Sequence, residues 1–313
     1  MTLNIASSVR FRVGFAPRME PSTASLRECV RRALAEDLGN EALSVDADVT
    51  SRLSVPAGCR GRARLMAKST GVLAGLACAI ESFQVLDPTA RCQAYGVDGK
   101  RFAHGDVVLV VEGDMRALLA AERTALNFVQ RLSGIATATR AYVDAVAGTG
   151  AKILDTRKTT PGLRRLEKAA VLAGGGVNHR IGLFDQVLLK ENHFGFAKPV
   201  SYEETVRRCV QAQSLPVVAE ARNEDEATAA VRGGAAVVLL DNFAPGAPLR
   251  AAVAAVRAAA VAAKRTVMTE ASGGVQLSTV RAFAECGVDR ISIGALTHSA
   301  PAADLSMLVE GVS

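Results

Sequence analysis

The stretch PVVAEARNEDEATAAVRGGAAVVLLD, residues 216–241, decides the fold class. It opens on a short apolar run ending in Glu220 and passes through NEDEATAAVRGG, whose apolar residues recur at helical spacing behind a cluster of acids. It closes on a second apolar run ending in Asp241. Strand, helix and strand in that order predict a parallel pairing, because the connecting helix carries the chain back to start the second strand in the same direction.

The same unit recurs outward on both sides. AKILDT from Ala151, DQVLLK from Asp185, RTVMTE from Arg265 and DRISIG from Asp289 are further strands, separated by helical patterns such as QLSTVRAFAECG. Six strands are visible where a complete barrel has eight, so an open, incomplete (β/α) barrel is expected in preference to a doubly wound sheet. Ahead of them, residues 23–113 read as a mixed α/β unit: a helix over 25–35, a loop over EDLGNEALSVDADVTSRL, then the strand-like GRARLMAKSTGVLAGL and GDVVLVVEGDM. A long helical pattern runs from Met115, with a break expected at Ser133 and Gly134.

Composition excludes several classes. In 313 residues, 49% are hydrophobic and 22% charged, which suits a globular chain with a sizeable core. The net charge of +6 raises nucleic acid as a partner, but aromatics are only 4%, Trp is absent and no long basic run occurs, so small anions are the better match. The most apolar long stretch, AAVAAVRAAAVAAKR from Ala251, is interrupted by Arg257 and Lys264 and reads as a packed helix, so no membrane span is expected. Six cysteines include no C-x-x-C pair, which points to reduced thiols in the cytoplasm. Residues 1–19 hold Arg10, Arg12 and Arg18 and no acid, a composition loosely like an organellar transit peptide, although a flexible extension is preferred.

Every strand of the repeat ends in polar residues: DTRK at 155–158, KENH at 190–193, Glu220, Asp241, EASGG from Glu270 and GALTH from Gly294. Capping and solvation explain any single one of these; in a parallel α/β fold their convergence on one face predicts a ligand site. Arg157, Lys158, Arg180 and Lys190, with His179, form a cationic set suited to carboxylates and phosphates. Arg164, Arg165 and Lys168 read instead as a solvated helical face partnered around Glu167. SGG at 272–274 and GALT at 294–297 allow close approach of an anion to the backbone, and Glu220 and Asp241 are carboxylates suited to Mg²⁺ or to a developing positive charge on a sugar carbon.

Taken together, AERTALNFVQRLSGIAT, ILDTRKTTPGLR, GGGVNHRIGLFDQVLLKENH, VVLLDNF, EASGGV and ISIGALTHS make the chain resemble the quinolinate phosphoribosyltransferase (carboxylating nicotinate-nucleotide pyrophosphorylase) family from about residue 25 onward. The resemblance implies an extension over residues 1–22, an N-terminal α/β sandwich over 23–130 with 299–313, and an open α/β barrel over 131–298. It implies transfer of phosphoribose from phosphoribosyl pyrophosphate to quinolinate with decarboxylation, in a homodimer with shared active sites or a higher oligomer built from it. Quinolinate would be bound by Arg157, His179, Arg180 and Lys190, and by Arg123 reaching in from the partner subunit. Lys158, Glu220 and Asp241 would be catalytic and serve the sugar donor, the two acids holding its Mg²⁺ directly or through water. Ser272, Gly273, Gly274, Gly294, Ala295 and His298 would line the phosphate end. The chain departs from the family pattern at Val218, where a glutamate is often found, and in a longer loop around residues 39–51. The alternatives are a same-fold pyrophosphorylase for another aromatic acid and, from a different class, a nucleic-acid-binding protein.

Overall fold

Arg60–Ala67 alternates outward arginines with inward Ala63, Leu65 and Ala67, and this period of two makes it a half-buried strand, β1. The computed structural model describes residues 22–310 and divides into two compact units, one of residues 22–178, 276–281 and 292–310, the other of 179–275 and 282–291.

The first unit begins with α1 (Thr23–Leu38), whose N-cap Ser22 accepts the Ser25 N–H at 3.2 Å and which stops at left-handed Gly39. A short helix, α2 (Val49–Ser54), occupies part of the segment expected to be loop, nucleated by the Asp48 carboxylate accepting from Ser51. After β1 come β2 (Gly71–Val72), α3 (Leu76–Leu86), β3 (Arg91–Ala94), β4 (Arg101–Phe102), β5 (Val107–Asp114), α4 (Met115–Ala145), β6 (Lys152–Leu154) and α5 (Arg164–Ala173). The last strand of the chain, Leu305–Glu310, returns to pair antiparallel with β1, which also pairs antiparallel with β5. Leu65, Leu109 and Val111 of this antiparallel sheet bury against Phe83 of α3 and Leu118 and Val129 of α4.

The expected break in α4 does not occur: the helix is continuous over 31 residues. Ser133 and Gly134 are there for packing. The Ser133 hydroxyl accepts the Ala74 N–H at 3.0 Å and donates to the Ala74 carbonyl at 3.2 Å. A Cβ on Gly134 would lie 2.0 Å from the Pro301 carbonyl oxygen, so only glycine lets that segment approach.

The second unit carries the repeated pattern. Its strands β7 (Val187–Leu189), β8 (Val217–Ala221), β9 (Val237–Asp241), β10 (Met268–Ser272) and β11 (Arg290–Ser292) alternate with α6 (Glu191–Phe196), α7 (Tyr202–Ala212), α8 (Glu224–Gly233) and α9 (Ala247–Ala262). The quoted stretch folds as read: Asn223 caps α8 by accepting the Glu226 N–H at 2.8 Å, and Gly234 ends it at φ 101°. Strands β7 to β10 pair in parallel, in the order β11-β10-β9-β8-β7. That order follows the chain without the reversal that a doubly wound sheet requires. In the first unit Ile293, just past β11, donates to the Leu154 carbonyl of β6 at 2.9 Å. All six expected strands are present, and the protein is a mixed α/β chain with a parallel sheet and an N-terminal antiparallel one. The chain finishes with α10 (Val280–Ala284), α11 (Ala295–His298) and β12, the returning Leu305–Glu310.

On one face of the parallel sheet Val218, Val237 and Leu239 form a small core with Leu188 and Met268 against it. The strand register puts Glu220 and Glu270 level with Leu239, and Ser272 level with Asp241. The polar strand ends therefore stand directly above an apolar plug. No helix among the described residues is long and apolar enough to cross a membrane.

Candidate active site

In the first unit the loop 155–162 leaves β6 and carries Arg157 and Lys158. Its base is fixed by Asp155, which is fully buried with Lys168 at one carboxylate oxygen and Asn178 Nδ2 at 2.5 Å from the other. Lys168 is thus no solvated helix residue: it is 0% exposed, because the carboxylate it needs lies thirteen residues away in sequence and is itself out of water. Glu167 is equally buried, accepting from Thr160 and Arg131, whereas Arg164 reaches Thr159 Oγ1 at 3.0 Å. Arg157 is half-buried, with its Nε out of solvent and unpartnered. Neither Arg157 nor exposed Lys158 forms an ion pair among the described residues.

Lys158 lies across Gly294, where an added Cβ would come 2.9 Å from Lys158 Cδ and 3.1 Å from His298 Nε2. The fold thereby brings Lys158, Gly294 and His298 together, with Ala295 opening the short α11. Arg123 projects from an exposed position on α4 into a groove of about 680 Å³ lined also by Arg32, Glu36, Asn127, Arg131 and Gly162.

In the second unit His179 and Arg180 are buried. His179 Nδ1 accepts the Arg180 N–H at 2.7 Å, which leaves a neutral ring's proton on Nε2, 3.4 Å from Glu270 Oε1. Arg180 Nη1 donates to the Gln186 carbonyl at 3.2 Å. Glu270 is fully buried and receives Arg290 Nε at 2.9 Å. Burial by itself raises the Glu270 carboxyl, but the Arg290 guanidinium and His179 outweigh it and hold it well below the usual carboxylate range. Sequence reasoning noted Glu270 only as a strand end and missed Arg290. The available signal was an arginine inside an apolar strand, which demands a buried acid.

Lys190 is exposed at the end of β7 and, among the described residues, has no ion-pair partner. Glu220 is half-buried, and its Oε1 accepts the Glu191 N–H at 3.1 Å. Burial pushes its carboxyl up and neighbouring Asp241 adds to that, with Lys190 opposing. Asp241 accepts from Asn242 Nδ2 at 2.6 Å. Beside it Gly273 takes φ 97°, and a Cβ there would sit 2.1 Å from Asn242 Oδ1, so Gly273 is required both by conformation and by space. Gly274, at φ 61°, faces open space.

Among the described residues no group of three or more His, Cys, Asp or Glu could hold a metal by itself. Two neighbouring carboxylates, one of them raised by burial and further by the other's charge, fit Mg²⁺ of the kind that takes one or two protein oxygens and completes its shell from phosphates and water. Val218, at the position of the often-found glutamate, belongs to the apolar plug one layer below Glu220.

Comparison with known proteins matches these elements to one family. Residues 48–133 match the N-terminal domain of quinolinate phosphoribosyl transferase and residues 135–308 its C-terminal domain. A nicotinate-nucleotide pyrophosphorylase [carboxylating] of Mycobacterium leprae is 41% identical over 286 residues, covering 90% of this chain and 96% of that one. A probable enzyme of the same name from Bacillus subtilis is 38% identical over 282 residues, covering 90% and 92%. The solved nicotinate-nucleotide pyrophosphorylase of Francisella tularensis superposes with a TM-score of 0.82 at 34% identity, covering 92% of this chain and 96% of that one. With both domain models matched and relatives of up to 41% identity over most of the chain, the chain belongs to the quinolinate phosphoribosyltransferase family.

Proposed function

We propose that this chain transfers phosphoribose from phosphoribosyl pyrophosphate to the ring nitrogen of quinolinate and releases pyrophosphate and CO₂, giving nicotinate mononucleotide for NAD synthesis. The observation that carries the reading is that Arg123, Arg157, Lys158 and Lys190 form no ion pair among the described residues, while surface arginines such as Arg207 and Arg222 are paired. Cations left unneutralised suit substrates bearing roughly seven negative charges between them. The names of the relatives support the same reaction.

In this reading Arg157, Arg180 and Lys190 hold the quinolinate carboxylates, and His179, fixed by Glu270, lines the same end. Lys158 takes the phosphosugar, with Ser272, Gly273, Gly274, Gly294, Ala295 and His298 around its phosphates. Glu220 and Asp241 face the anomeric carbon as the bond to pyrophosphate breaks. Glu220 gains from that developing positive charge because it is half out of water, so its field is weakly screened. Mg²⁺, held by Glu220 and Asp241 directly or through water, would supply neutralisation of the departing pyrophosphate. Loss of CO₂ requires that the adjacent carboxylate be oriented while the quaternised ring accepts its electrons, which is the work of the arginines. Arg123 serves a partner subunit's site in a homodimer, a role suited to an exposed, unpaired cation. The cytoplasm is the compartment we assign, consistent with six free cysteines.

Release of CO₂ and pyrophosphate that depends on quinolinate is the test; turnover of nicotinate with quinolinate inert would defeat the reading. Arg123→Ala is expected to raise the quinolinate KM about 10- to 100-fold, the loss of a charged hydrogen bond, with the fold intact by circular dichroism. Heterodimers with an Arg157→Ala subunit regain activity if sites are shared, and verified heterodimers without activity count against sharing.

A further inference from the structure

Glu167 and Arg131 have no assigned ligand, yet hydrogen bonds from both lead to the loop that carries Arg157 and Lys158. The Glu167 carboxylate is fully buried. Its Oε2 accepts the Thr160 N–H at 3.1 Å, and its Oε1 accepts Thr160 Oγ1 at 2.7 Å together with Arg131 Nε at 3.2 Å and Nη2 at 3.0 Å. Arg131 continues to the carbonyls of Ala300, at 3.0 Å, and Thr297. The Thr297 hydroxyl in turn donates to the Lys158 carbonyl at 2.7 Å. One guanidinium on α4 therefore reaches the main chain on both sides of Thr159, through Glu167 of α5 to residue 160 and through Thr297 of α11 to residue 158.

A buried ion pair adds little stability compared with apolar packing of the same volume. This one directs its hydrogen bonds to Thr160 and, through Thr297, to the Lys158 carbonyl, directly beyond Arg157 and Lys158, neither of which has an ion-pair partner among the described residues. We infer that Arg131 and Glu167 are positioning residues that set the main chain at Lys158 and Thr160 so that Arg157 and Lys158 present their charges to the anionic substrates. The inference rests on the phosphoribosyl-transfer reading above.

Steady-state kinetics of the full chain test it. Glu167→Gln is expected to raise KM for both quinolinate and phosphoribosyl pyrophosphate about tenfold or more, the scale of a lost charged hydrogen bond. Thr297→Val removes the link to Lys158, together with a longer contact of the hydroxyl to the Gly294 carbonyl at 3.2 Å, so it raises KM for the sugar donor severalfold and leaves that for quinolinate within about twofold. In a Lys158→Met background Thr297→Val adds nothing further, because the side chain it positions is gone. A merely structural role would lower the melting temperature or the active fraction and leave both KM values unmoved. That result, or a full Thr297→Val effect in the Lys158→Met background, overturns the inference. Calorimetric titration with inorganic pyrophosphate separates it from the reaction assignment: wild type that binds pyrophosphate but ignores quinolinate sinks the reaction, while Glu167→Gln must still bind pyrophosphate about tenfold more weakly. Equal affinity in both proteins, or no binding by wild type, overturns the positioning role.

Discussion

Glu220 and Glu270 stand at the same level of the parallel sheet, on either side of Leu239 and on the same face, yet their surroundings drive them in opposite directions. Glu270 is wholly out of water but has Arg290 and His179, and it is held ionised. Glu220 is only half-buried, yet that burial, with Asp241 adding to it, raises its carboxyl. Depth of burial alone would predict the reverse order. The partners of Glu270 decide: they outweigh its deeper burial and tie it into the scaffold, while Glu220, with no cation close enough to do the same, is left in a field that a cationic ligand or a positively charged carbon would relieve.

The comparison breaks most severely at Arg290. Arg290→Met leaves the Glu270 carboxylate buried with only His179, and the expected cost is about 3–5 kcal/mol in urea unfolding. Activity should fall with it, since Glu270, no longer held by Arg290, fixes the His179 ring less firmly. At Glu220 the opposite pattern is expected: Glu220→Gln lowers kcat about 10²- to 10³-fold, the scale of removing one electrostatic stabiliser, with little change in the urea midpoint. A Glu220→Gln enzyme with wild-type kcat would place the developing charge elsewhere.

The smallest effect sharpens the contrast through pH. The Glu220 carboxyl titrates higher in the folded chain than in the unfolded one, so its contribution to stability is full below the ordinary carboxylate range and is lost as pH rises through the folded value. Glu270 runs the other way, contributing above the ordinary range and losing that contribution as pH falls toward its depressed value. At neutral pH Glu220→Gln is therefore expected to raise the urea midpoint slightly and Glu270→Gln to lower it. Midpoints that shift in the same direction for both would contradict the assignment of their fields.

The repeat was legible because each strand and helix announces itself within a few residues: the quoted β8–α8–β9 unit needs only its own apolar spacing and the Asn223 cap. Lys190, Glu220 and Asp241 were legible for the same reason, each being the first residue past an apolar run. Long-range partnerships left no local trace. Lys168 looks like one more basic residue on a helix, and its burial depends on Asp155 and Asn178, which precede and follow it in other segments. Ser133 and Gly134 look like a helix breaker, and their purpose is set by Ala74 and Pro301. Arg123 carries no signal in its own spacing; the role proposed for it comes from the motif around it, read as a resemblance.

The continuity of α4 through Gly134 has a consequence for how this chain can vary. Arg123 and Arg131 are eight residues apart on one unbroken helix, about 12 Å along its axis and about 80° around it. A single inserted or deleted residue between them would turn everything beyond it by about 100°, carrying Arg131, Ser133 and Gly134 away from Glu167, Ala74 and Pro301 together. The helix is a ruler: what it fixes is the number of letters between its two arginines.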